Sequence, residues 1–258
     1  MNELIDYILY LADNALILGH RNSEWTGHGP ILEQDIAISN ISLDLIGQAR
    51  NFYQYAAKLI NQSIDESSNL TTEDTLAYLR DTNDFKNCLL VEQTNGDWAK
   101  TILRQFFFSA YQFYLYQHLQ NSKDETLAAI AEKSLKEVTY HLRWSSEWII
   151  RLGDGTNESH EKMLHAISDL WVYTDELFEP SNYESQVASE GFAVNFSLLK
   201  NDWLKKVSSV FEEATLPFPV EQNQHLRWFG KEGNHSEHLG YILAEMQFLQ
   251  RAYPNCNW

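Results

Sequence analysis

Long stretches of this chain repeat their apolar residues every three to four positions, and none alternates convincingly with the two-residue period of a β-strand. Leu4, Ile5, Ile8, Leu11, Ala15 and Leu18 form a first helical stripe, and the spacing predicts its end at Gly19. After the loop HRNSEWTGHGP, Pro30 is placed as the first residue of a long second helix. That helix carries an inner stripe of Ile41, Leu45, Ala49, Phe52 and Ala56. Beside it runs a second line through Ile36, Asn40, Leu43, Gly47, Arg50 and Gln54. Residues 61–74 are polar and acidic and predict a surface connection, with a short helix after Thr72.

A third helix is predicted from Asp97 to His118, after the turn at Asn95-Gly96. Ser122, with Glu125 three residues on, reads as a capping box opening a fourth helix that ends at Gly153. Ser159 is expected to cap a fifth, running to Phe178. An irregular stretch follows Pro180, then helices over 197–213 and 236–251. Long antiparallel helices with short links imply an all-α, up-down helical bundle with additional helices. With 44% hydrophobic residues the chain can build a sizeable core, and no internal boundary is visible, so 1–258 reads as a single domain.

The formal charge of −17 excludes non-specific nucleic-acid binding, because phosphates would be repelled. No signal-peptide pattern opens the chain, and no apolar run approaches the roughly 18 residues of a membrane span. Cys88 and Cys256 share no metal-type spacing. The expectation is a cytoplasmic protein with no nucleic-acid or membrane partner.

KEVTYHLRWSSEW, residues 136–148, resembles half of a di-iron site with one piece displaced. A helix that holds such irons carries Glu-x-x-His, whereas here Glu137 and His141 are four apart and Val138 stands three before the histidine. The plainer reading is an interior histidine satisfied by an i, i+4 hydrogen bond with Glu137. Glu33, Asp35 and Asp44 on the second helix have no histidine three residues on, and the third helix contains no acidic residue. Four-helix ligation therefore fails. His235 and His238, with Glu237 and Glu245 nearby, lack the spacing of the zinc-protease motif. They read as capping or interface residues behind a Ser236 cap.

The third helix is apolar on more than one side. Its face at Ser109 points to the core, while Phe107, Tyr111, Tyr114 and His118 lie on the opposite stripe. A helix apolar all round must be covered on both sides, either by the protein's own added helices or by another subunit.

Four segments carry a resemblance: DIAISNISLDLIGQARNFYQYAA (35–57), LLVEQTNGDWAKTILRQFF (89–107), KEVTYHLRWSSEW and HSEHLGYILAEMQFLQR (235–251). Together they resemble the C-subunit family of the ring-1,2-phenylacetyl-CoA epoxidase, the multicomponent monooxygenase of bacterial phenylacetate breakdown. The resemblance covers essentially the whole chain. It implies a ferritin-like fold without iron, paired with a paralogous di-iron A subunit that epoxidises the ring. A B subunit joins that assembly, and a separate flavin and iron-sulfur reductase supplies electrons.

Laid on this chain, the catalytic paralogue's first-helix glutamate falls at Ala15, read back from Trp25. Its second-helix Glu-x-x-His falls on Leu45 and Gln48, anchored by Gly47. Its third-helix acid falls near Ser109. Its fourth-helix Glu-x-x-His falls on Val138 and His141, anchored by Lys136 and Glu137. Glu137 thus matches a non-ligand glutamate, and only His141 survives of the ligand set. The resemblance implies a non-catalytic structural subunit with no metal and no cofactor of its own. Leu45, Gln48, Ser109, Val138 and His141 are expected to meet inside the bundle. Gln48 and His141 should hydrogen-bond each other, a hydroxyl or a water. Two rivals stand beside this reading: an active di-iron oxidase using Glu33, Asp35, Asp44, Glu137 and His141, and a free-standing homodimer.

Overall fold

The computed structural model describes residues 2–63, 70–194, 196–219, 229–254 and 256. Among them are eleven α-helices and no strand. Four long helices make the bundle: α1 (Asn2–Ser23), α2 (Leu32–Asn61), α5 (Trp98–Leu119) and α6 (Glu125–Gly153). The short α3 (Glu73–Tyr78) and α4 (Leu89–Glu92) lie between α2 and α5. After α6 come α7 (Asn157–Leu170), α8 (Asn182–Glu190), α9 (Phe196–Glu213), α10 (Glu237–Met246) and α11 (Phe248–Ala252).

Side-chain pairs fix the directions. Tyr10 meets Tyr111 and Asn22 meets Gln105, so α1 and α5 are antiparallel. Gln112 approaches Gln48 while Phe52 packs on Tyr116, so α2 and α5 run the same way. The order is therefore up, down, down, up, with the α3–α4 segment as the one crossover of a ferritin-like bundle.

α1 and α5 are the inner helices. Tyr7 to Gly19 and Thr101 to Gln112 are buried without interruption. α2 and α8 pack on α1, while α6, α7 and α9 pack on α5. A helix that is apolar all round needs such cover, because its backbone and side chains have no face for water.

Several helix ends differ from the sequence expectation. α1 passes Gly19 and reaches Ser23. A Cβ at Gly19 would stand 3.1 Å from Ile46 Cγ1 and 3.3 Å from Leu45 Cβ, so this glycine serves a close α1–α2 crossing, not a helix end. α2 starts at Leu32, beyond Pro30. Asp124, not Ser122, caps α6 by accepting from the Leu127 amide at 2.8 Å. The Ser122 hydroxyl donates to the Phe192 carbonyl at 2.9 Å and accepts from the Asp124 amide at 3.1 Å. Thr156 caps α7, and Ser159 is the reciprocal partner of that capping box.

The fifth helix ends at Leu170, and 3-10 turns carry the chain on to Phe178. The stretch after Pro180 holds α8, capped by Ser181 with Glu184 and closed by Gly191 at φ +86°. The last predicted helix breaks at Gln247, whose side chain turns to the carbonyls of Ala77 and Arg80.

Candidate functional site

The six positions matched to the di-iron ligands lie on α1, α2, α5 and α6, and all are buried. Ala15, Leu45 and Val138 belong to one continuous apolar core. Leu45 lies against α1 at Gly19, one turn beyond Ala15. Ser109 accepts a hydrogen bond from Gln105 Nε2 at 2.7 Å. Gln105 Oε1 in turn accepts from Asn22 Nδ2, which joins α5 to α1.

Gln48 donates from Nε2 to Glu137 Oε2 at 2.9 Å, and its Oε1 lies 3.4 Å from the Tyr116 hydroxyl. His141 Nε2 stands 3.0 Å from Asp44 Oδ2. The expected Glu137–His141 bond within α6 does not form. Asp44 and Gln48 are one turn apart on α2, as His141 and Glu137 are on α6. Each pair therefore satisfies its counterpart across the antiparallel helices. His141 Nδ1 is buried without a partner among the described residues.

These residues do not fit a pair of irons. Two divalent cations need several inward carboxylates, and Ala15, Leu45 and Val138 offer no donor atom. Glu33 is exposed, and Asp35 Oδ1 accepts from the amides of Gly27 and Gly29 in the loop before α2. Among the described residues, no group of three or more His, Cys, Asp or Glu is placed to hold a metal ion.

The aromatic stripe of α5 divides. Phe107 packs against Trp171, Trp203 and Phe211, and its carbonyl accepts from Trp203 Nε1 at 2.9 Å. Tyr111 packs on Phe178 and pairs its hydroxyl with Tyr10 Oη at 2.9 Å. Tyr111, placed by its spacing on the stripe opposite Ser109, thus still reaches α1 inside the bundle through its hydroxyl. Tyr114 and His118 are half-buried, and His118 lines a shallow cleft with Phe192 and Leu198.

Buried charges stand outside this centre, and the sequence expectation missed most of them. Glu92 accepts from the Ser236 amide at 2.7 Å and pairs with His235 Nδ1 at 2.8 Å. Burial opposes a charge on His235, but the hydrogen bond and charge of Glu92 outweigh it and raise the imidazole pKa. Lys231 is buried against Glu184 at 3.2 Å. Burial pushes the Glu176 carboxyl up to about 7, against the opposing pull of the Leu89 amide and Lys231. Asp13 accepts from Tyr53 and pairs with Arg80. The signal was a lone acid inside an apolar run, as in LLVEQ and YLADNALIL. Glu92, Glu176 and Glu184 fasten the 231–236 segment ahead of α10 to the bundle, and Asp13 ties α1 to α2 and to Arg80.

The whole chain, residues 1–258, matches the family model described as phenylacetic acid catabolic protein. The chain belongs to that family. It is 48% identical, over 258 residues covering all of both chains, to the curated C subunit of the 1,2-phenylacetyl-CoA epoxidase of Escherichia coli (strain K12). The helical, ferritin-like fold expected from the sequence is the fold of this family. No helix among the described residues is long and apolar enough to cross a membrane.

Proposed function

We propose that this chain is the non-catalytic structural subunit of a phenylacetyl-CoA epoxidase in aerobic phenylacetate catabolism. On this proposal it binds no iron and works in the cytoplasm. It pairs with a di-iron A subunit and joins a B subunit. The main support is chemical: apolar Ala15, Leu45 and Val138, all fully buried, occupy the positions matched to ligand carboxylates. Carboxylates held there without cations would be costly, so their joint replacement by apolar groups suits a bundle kept for its shape.

The outward face of α2 supports the pairing. Leu32, Ile36 and Leu43 are exposed along one side of a 30-residue helix, and Gly47 has open space where a Cβ would stand. Such a seam suits a long partner helix. Pairing would hold the catalytic bundle and its thioester pocket in working geometry.

Co-expression with the A and B subunits tests this. The proposal expects a stable complex, and ring epoxidation that requires this chain while surviving changes at Asp44 and His141. Epoxidation by the isolated chain with a reductase would overturn it.

A further inference from the structure

The C-terminal helices carry a second open surface, away from the α2 seam. Tyr241 and Phe248 lie seven residues apart, two turns along the same side of α10 into α11, and are 66% and 63% exposed. On the stripe beside Tyr241, Gly240 and Ala244 leave the helix surface low next to Phe248. A Cβ at Gly240 would meet nothing within 4 Å. The result is a groove of about 470 Å³ between α10, α11 and the 81–82 segment, floored by Leu243 and Gln247. Large exposed aromatics beside small residues that leave a groove open are the features of a helix-docking groove.

Charge selects the occupant. Glu237 and Glu245 are exposed on α10, and the Asp81 side chain is 80% exposed at the groove mouth. Asp81 Oδ1 and the neighbouring Arg251 neutralise each other at 2.8 Å, and Arg251 also donates to the Arg80 carbonyl at 2.9 Å, so Glu237 and Glu245 are the net charges beside the groove. A second copy of this chain would bring its own Glu237 and Glu245 to the same place, on a molecule of charge −17. Like charges at such a contact are strongly disfavoured.

We propose that this groove docks an amphipathic helix of a different subunit, one whose apolar stripe is flanked by lysine or arginine. The apolar stripe lies along Phe248 over Gly240 and Ala244, with Tyr241 at its edge, and the basic flank meets Glu237 and Glu245. This rests on the proposal that the chain is one subunit of a larger assembly, and adds a second docking surface to it.

The test uses the full chain with the A and B subunits, measuring complex mass by light scattering and affinity by titration at low and high salt. Two variants are compared with wild type: Tyr241→Ser with Phe248→Ser, and Glu237→Lys with Glu245→Lys. All four side chains are exposed, so melting of the isolated variants should match wild type. The proposal expects the aromatic variant to weaken binding of one subunit at least about thirty-fold, as for interface hot spots. It expects the charge variant to weaken the same contact and to flatten its salt dependence.

Wild-type affinity in both variants would overturn the groove while leaving the subunit role intact. Self-association of the wild-type chain that the aromatic variant abolishes would overturn the choice of partner. No complex between the wild-type chain and either subunit would remove the subunit role itself, and this occupant with it.

Discussion

His141 on α6 lies 3.0 Å from Asp44 on α2, one turn from the 2.9 Å contact of Glu137 with Gln48. The two pairs are rungs of one antiparallel ladder. They tie the outer helices of the bundle together with side-chain hydrogen bonds.

Val138→Glu tests how apolar this centre is. Val138 is fully buried, and a carboxylate there meets no cation. The variant should lose at least about 3 kcal/mol at neutral pH and recover part of it on acidification, as the carboxyl takes a proton. Val138→Ala, which only opens space, should cost about 2 kcal/mol at every pH. Denaturant unfolding at several pH values measures both. Tight iron binding by Val138→Glu with full stability would contradict the dismantled centre.

The α5 stripe gives a graded series. Tyr111→Ala removes a fully buried ring and should cost about 3–5 kcal/mol. Tyr111→Phe leaves Tyr10 Oη without its partner and should cost about 1–2 kcal/mol. Tyr114→Ala, at a half-buried position, should cost less than Tyr111→Ala. The isolated chain suffices for these measurements, since the cover over Tyr111 is internal. A wild-type melting temperature in Tyr111→Ala would show that the ring is not packed as described.

Helix spacing is a local signal, and partners across the bundle are not. The four long helices were legible because their apolar spacing is sustained over 22 to 30 residues. The end of α1 was not, because Gly19 looks like a stop signal and acts as a close helix contact with Leu45 and Ile46. Asp124 took the cap assigned to Ser122, because α6 starts at Glu125 and the Ser122 hydroxyl accepts from the Asp124 amide while donating to the distant Phe192 carbonyl, a contact that neighbouring residues do not reveal.

In the centre, the burial of Val138 and His141 was readable from one helix. The partners of His141 and Glu137 were not, because both come from α2. Nor could spacing alone pair Glu92 with His235, 143 residues away.

The buried charges make stability depend on pH in a stated direction. The Glu176 carboxyl is raised to about 7 in the fold, above its ordinary value of 4.5, so the folded state holds its proton more tightly than the unfolded chain. That contribution is complete below pH 4.5 and is lost as pH rises through about 7. His235 is raised as well, so its contribution is complete below 6.5 and is lost as pH passes its folded value.

Glu176→Gln should therefore unfold with a shallower loss of stability between about pH 5 and pH 7.5 than wild type. The difference is bounded by about 3 kcal/mol. Parallel pH profiles for the two proteins would show that Glu176 does not titrate in this window.

Iron content of the purified chain is the sharpest check on a metal-free centre. The isolated protein, loaded anaerobically with ferrous iron, is desalted and its iron measured by elemental analysis beside the A subunit treated in the same way. A dismantled centre predicts no retained iron in this chain and about two irons per A subunit, the number held by a carboxylate bundle. About two irons retained per molecule of this chain would contradict it.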